Sequence, residues 1–170
     1  MKAIDFHAHA FPDNIEQKAI KNLESHYTIN VPNKASLDEL LASTKSARVD
    51  KLVLLVAATK PALVKMTNDW VANISSKIPD KIIGFGSIHP NFKKYEKELD
   101  RMEQLCLKGI KIHPKFQGFD LDDPRMWLIY EAIGDRFLVL FHVGNKHSKA
   151  SSPAKLAKIL ELLHTNHGQL

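Results

Sequence analysis

Cysteine is nearly absent from this chain: Cys106 stands alone among 170 residues, so no internal disulfide can form. Its setting in Leu105-Cys106-Leu107 gives the expectation of a small buried hydrophobe. Long apolar runs are missing too. The longest, Leu52 to Ala58, is far below the roughly 20 residues that a spanning helix needs, and the N-terminus enters an apolar strand without a signal-peptide pattern. The expectation is a soluble, cytoplasmic protein with no membrane partner. Clustered basic charge is also lacking. A net charge of +5 would suit nucleic acid if it were concentrated, but Lys93, Lys94 and Lys97 alternate with Glu96, Glu98 and Asp100 as on a solvated helix face. With no helix-turn-helix and no aromatic-basic platform, nucleic acid is not expected as a partner.

What is present is an ordinary globular composition, 44% apolar and 25% charged, which points to one domain over residues 1–170. Short β-rich runs recur at Ala3 to Phe6, Lys51 to Val56, Lys81 to Ile88, Gly109 to Ile112 and Phe137 to Val143. Between and after them, apolar residues spaced three and four apart mark helices over Asn14 to Leu23, Ser36 to Ala47, Pro61 to Ile78, Phe92 to Leu107, Pro124 to Ile133 and Pro153 to Leu163. Ser36 has Glu39 three places on, and Asp123-Pro124 and Ser152-Pro153 put proline at a first helical position. Such alternation predicts parallel strands joined by right-handed crossovers.

Either an open doubly wound sheet or an eight-stranded barrel would satisfy that pattern. The first run is followed by His7-Ala8-His9-Ala10, without the glycines that a phosphate-cradling loop needs, so the nucleotide-binding version of the open sheet is disfavoured. The barrel reading places polar side chains at the carboxyl ends of strands, where barrel enzymes carry their chemistry. Those ends hold His7 and His9, Lys60, His89, His113 and His142. Five of nine histidines at strand ends suggest one shared site.

His7 and His9, two apart, are expected to share a face with Asp5 one step deeper. If the sheet curls, His142 can add a third imidazole, and three neutral imidazoles with an open position suit a catalytic divalent metal, zinc above all, that acidifies a bound water. His26, His147, His164 and His167 read as ordinary hydrogen-bonded histidines, and His89-Pro90 as a strand-ending turn.

Four motifs in order, Ile4-Asp5-Phe6-His7-Ala8-His9, Ile83 to Pro90, Lys108 to Pro114 and Phe141-His142-Val143-Gly144, resemble the amidohydrolase-related family of the amidohydrolase superfamily. That family includes metal-dependent decarboxylases similar to aminocarboxymuconate-semialdehyde decarboxylase. The resemblance implies a (β/α)8 TIM-type barrel of which this sequence holds about five βα units, with His7, His9 and His142 as metal ligands. It implies hydrolysis of a C–N or C–O bond in a small substrate, or alternatively decarboxylation of a small carboxylic acid. Lys111 and His113, at the end of the fourth strand, are read as substrate-facing or structural, Lys111 being also a weak candidate for the bridging lysine that some members carry. The family's further histidine after a sixth strand and its catalytic aspartate after an eighth have no counterpart in these residues, so the expectation is the N-terminal part of a barrel, inactive alone. Open edges on the first and fifth strands, and an open lumen face, would then favour self-association, with a non-catalytic half-barrel interaction module as a further alternative.

Overall fold

A computed structural model describes residues 2–32, 34–144 and 148–162. In chain order these form β1 (Ile4–Ala8), α1 (Glu16–Tyr27), α2 (Leu37–Ser46), β2 (Lys51–Leu55), a 3-10 turn (Pro61–Leu63) running into α3 (Val64–Lys77), and β3 (Ile82–Ser87). There follow α4 (Tyr95–Gln104), β4 (Gly109–Ile112), α5 (Pro114–Gln117), α6 (Pro124–Ile133), β5 (Leu138–Phe141), a second 3-10 turn (Lys149–Ser151) and α7 (Pro153–Leu162).

The capping signals act where the sequence puts them. Ser36 Oγ accepts from the Glu39 N–H at 3.3 Å and starts α2. Asp123 accepts from the Arg125 N–H at 2.9 Å, with Pro124 at the first helical position of α6. The long expected helix after β2 is split, because Pro61 opens a tighter 3-10 turn before the α-helical bonds begin at Val64.

All four strand pairings are parallel, in the spatial order β1-β2-β3-β4-β5. A doubly wound sheet reverses its winding at a switch point and so places helices on both faces. This order has no reversal, so every crossover falls on the same side and the sheet curls as part of a barrel. Side-chain alternation follows. Leu52, Leu54, Ile82, Ile110 and Ile112 join the helices in one large core, whereas Val53, Leu55 and Phe85 form a separate cluster on the concave face.

That concave face is better covered than the sequence implies. Val53, Leu55 and Phe85 are buried although the sheet has five strands among the described residues. The Phe85 ring lies across β4, so close that a Cβ on Gly109 would sit 2.4 Å from it; the missing side chain of Gly109 is what lets phenylalanine fill the lumen. Within the sheet, the exposed large apolar side chains stand on its two edge strands, Ile4 (48%) and Phe6 (50%) on β1 and Leu138 (57%) on β5.

Cys106 is also corrected. It is exposed and sits at φ 59° in the turn after α4, so the left-handed backbone turns the thiol outward while Leu107 goes into the core. No helix among the described residues is long and apolar enough to cross a membrane.

Candidate functional site

The carboxyl ends of the strands are tied together by a buried polar network that fixes what stands on them. Ser87, the last residue of β3, accepts from the Ala58 N–H through Oγ at 3.0 Å and donates from Oγ to the Lys111 carbonyl at 3.2 Å. Asn68 on α3 clamps the same residue, accepting from its N–H at 2.8 Å and donating to its carbonyl at 3.1 Å. Asn68 also donates to Glu98, which Arg101 pairs with from the next turn of α4.

Gln117, 3% exposed, completes the tie. Its Nε2 donates to the carbonyls of Ala58 (3.2 Å) and Ile88 (2.7 Å), and its Oε1 accepts from the His113 N–H at 2.8 Å. One side chain thus joins the loops after β2, β3 and β4. The signal for it was in the sequence but not in the strand pattern. Pro114 and Gly118 bracket a single helical turn, with Pro at its first position and Gly118 in the left-handed region at φ 72°, and Gln117 is the last residue of that turn.

The strand-end histidines divide into two kinds. His89 is structural: Nε2 donates to the Gln117 carbonyl at 3.1 Å and Nδ1 accepts from the Asn91 N–H at 3.1 Å, so both ring nitrogens are used. Lys60 does not reach the site; β2 ends at Leu55, and Lys60 is exposed beside the 3-10 turn.

The other kind gathers at one place. The register of β1 on β2 slips between Asp5 and Ala8, an irregularity of the sort that re-aims side chains beside active sites. Within it the Asp5 carboxylate accepts from the His7 N–H at 2.9 Å. The rings of His7 and His9 lie edge to face, 5.1 Å between centres. His9 Nδ1 donates to the Leu55 carbonyl at 2.9 Å, which leaves its Nε2 with a free lone pair.

His142 stacks on His113 at 3.9 Å, and His113 stacks in turn on Phe116 at 4.0 Å. The end of α1 closes on this stack: Tyr27 Oη stands 3.5 Å from His113 Nε2, and His26 and Tyr27 meet Phe116 edge-on. Sequence reading missed Tyr27, His26 and Phe116 as parts of the site wall, since nothing local connects α1 to the end of β4. His147, His164 and His167 lie outside the described residues.

His7, His9, His113 and His142 are held towards their neutral forms. Desolvation is the largest cause lowering all four, taking His113 to about 3 and His9 to about 4. The nearby Lys111 ammonium pushes all four the same way. Lys111 is itself 1% exposed, lies between Ile110 and Ile112 on the concave side of β4, and its Nζ has no hydrogen-bond partner.

A family model described as amidohydrolase matches residues 4–164. The chain belongs to the amidohydrolase family. Similar solved structures include 5-carboxyvanillate decarboxylase from Novosphingobium aromaticivorans complexed with manganese and 4-hydroxy-3-methoxy-5-nitrobenzoic acid, 18% identical with TM-score 0.64 over 95% of this chain and 54% of that one. Another is described as a 2-pyrone-4,6-dicarboxylic acid hydrolase from Acinetobacter baumannii with citric acid bound: 17% identical, TM-score 0.62, 97% of this chain and 55% of that one. A third is 2,6-dihydroxybenzoate decarboxylase from Rhizobium: 13% identical, TM-score 0.59, 88% of this chain and 53% of that one. The chain spans about half the length of these structures, and at such identities they show a shared fold. No curated protein gives a significant match.

Proposed function

We propose that this amidohydrolase-family chain carries the metal-binding part of a metal-dependent hydrolase acting on a C–N or C–O bond of a small substrate. The observation that carries the reading is the His7/His9 pair. A metal–nitrogen bond of about 2.1 Å puts each ring centre about 3.2 Å from the ion, so two imidazoles sharing a tetrahedral ion have centres about 5.2 Å apart. The pair here is at 5.1 Å. The hydrogen bond from His9 Nδ1 to a backbone carbonyl is the outer-shell contact that orients a ligating histidine and keeps Nε2 unprotonated.

The donor chemistry therefore fits a divalent ion, with His7 and His9 holding it and His142 as the third donor. Among the described residues no three such side chains converge as they lie, because the His142 ring is stacked on His113. An ion, when bound, would supply Lewis acidity for polarising a carbonyl and acidifying water. The chain's own residues orient the imidazoles, keep them neutral, and wall the site on one side with Tyr27 and Phe116.

Decarboxylation of a small carboxylic acid is the second reading, and Lys111 favours it: a buried amine without a partner suits an anionic substrate. Calorimetric titration with zinc and with manganese after chelator treatment tests the common part. Binding abolished in His7→Ala and His9→Ala supports the site; binding indifferent to both removes it. Hydrolysis of model amides and esters, against release of carbon dioxide from aromatic or enoic acids, separates the two reactions.

A further inference from the structure

Lys111 is a buried cation at the end of β4, 1% exposed. Its backbone is fixed by the Ser87 hydrogen bond and by pairing in register with Ser87 of β3 and Leu140 of β5, and the residue as a whole is buried. At the end of its side chain, Nζ makes no hydrogen bond. Around it stand His7, His9, His113 and His142, all four within its electrostatic reach and none carrying negative charge. The Asp5 carboxylate, one step deeper on β1, is engaged with the His7 N–H. An orphaned buried amine of this kind is costly unless a partner arrives.

We infer that Lys111 is the anion anchor of the site, its Nζ receiving one oxygen of a carboxylate on a small organic acid. The inference rests on reading the His7/His9 pocket as the binding site. A single amine among neutral imidazoles matches the single charge of a carboxylate. A phosphate dianion calls for several converging donors, such as an arginine fork or a long helix N-terminus, which this group does not offer. Burial alone pushes the amine down to about 8, with no nearby carboxylate opposing it, in keeping with a cation that waits for its counter-ion.

The test uses the whole chain, stripped of metal by chelator, and isothermal calorimetry with three probes: benzoate, its uncharged isostere benzamide, and inorganic phosphate. Benzoate binds the native chain at least about tenfold more tightly than benzamide, the worth of one charge-assisted hydrogen bond, and phosphate binds more weakly than benzoate. Lys111→Met loses the preference while keeping its affinity for benzamide, and Lys111→Arg retains part of it. Equal binding of benzoate and benzamide overturns the inference, as does an undiminished preference in Lys111→Met, or phosphate binding more tightly than benzoate. Lys111→Met removes an unpaired amine at nearly constant length, so its thermal transition stays at or above that of the native chain; should it fail to fold, Lys111→Arg and the native benzoate-to-benzamide ratio still decide. A separate zinc titration keeps the two readings apart. Zinc binding with no benzoate preference counts against the anchor alone; benzoate preference with no zinc binding counts against the metal reading alone.

Discussion

Replacing Gln117 by methionine keeps the length and burial of the side chain and removes all its hydrogen bonding. Three groups then lose their partner: the His113 N–H and the carbonyls of Ala58 and Ile88, which Gln117 binds at 2.8, 3.2 and 2.7 Å. Each buried group left unpaired costs about 1–3 kcal/mol, and the added apolar burial returns only part, so the net loss comes to about 3–5 kcal/mol. That is about a fifth or more of the roughly 5–15 kcal/mol that holds a domain together. With a urea slope of about 2 kcal/mol/M, the midpoint moves down by about 1.5–2.5 M at unchanged slope.

Gln117→Glu separates the donor from the acceptor role. It retains an oxygen for the His113 N–H but sets a carboxylate against two carbonyls, so at neutral pH it is at least as damaging as methionine. At acid pH the protonated carboxyl can donate to the Ile88 carbonyl, and part of the loss is recovered relative to Gln117→Met. The shifts of the His113 and His142 rings in NMR spectra report whether the stack moves with the anchor. A loss below about 1 kcal/mol in Gln117→Met would show that water reaches these carbonyls and that the strand ends are not held by this amide.

Gly109→Ala drives a methyl group into the Phe85 ring and costs about 1–3 kcal/mol; Gly109→Ala with Phe85→Leu recovers most of it in urea unfolding, and no recovery would mean that the clash lies elsewhere. Lowering the pH destabilises the fold through His113. The buried ring protonates near 3 when folded but near 6.5 when unfolded, so its contribution is intact above about 6.5 and is lost as the pH falls towards 3, a swing on the order of 3–5 kcal/mol. His113→Phe, which preserves the stack, flattens that part of the profile. The exposed edge residues Ile4, Phe6 and Leu138 predict pairing with a second copy, seen as a mass that rises with concentration in light scattering; a monomer across a hundredfold range of concentration would refute it.

Much of the fold was legible because it rests on local rules. Short apolar β-rich runs located the five strands described, and β4 kept its expected bounds, Gly109 to Ile112. The ends of β2, β3 and β5 drew in by one to two residues, where hydrogen-bond pairing stops before hydrophobicity does, whereas β1 starts one residue later than expected and runs on two residues to Ala8. The expected helix starting at Phe92 begins only at Tyr95, because the His89 turn takes the Phe92 N–H first. The single-turn helix α5 was not foreseen; four residues show no periodicity, and only its bracketing proline and glycine announce it.

The candidate site was legible as a set of positions and not as an arrangement. Position on strand ends named His7, His9, Lys111, His113 and His142 as candidates; the structure pairs the rings of His7 with His9 and of His113 with His142, and among the described residues no three of these imidazoles converge on one point. What alternation cannot give is which way each ring turns, since that depends on partners distant in sequence. Leu55 fixes the His9 tautomer from 46 residues away, Gln117 holds the His113 backbone, and Tyr27 approaches His113 from 86 residues away. The lumen shows the same limit. An incomplete strand count suggested an open apolar face, but Phe85 packs there with Val53, Leu55, Ile83 and Leu140, over the bare backbone of Gly109. Filling the lumen next to Gly109 also walls off Lys111, two residues along the same strand and on the same face. The amine that the sequence could describe only as substrate-facing or structural thus becomes a buried cation without a partner. The inner packing that makes a five-stranded sheet tenable is in this way also a source of the site's unmet demand for negative charge.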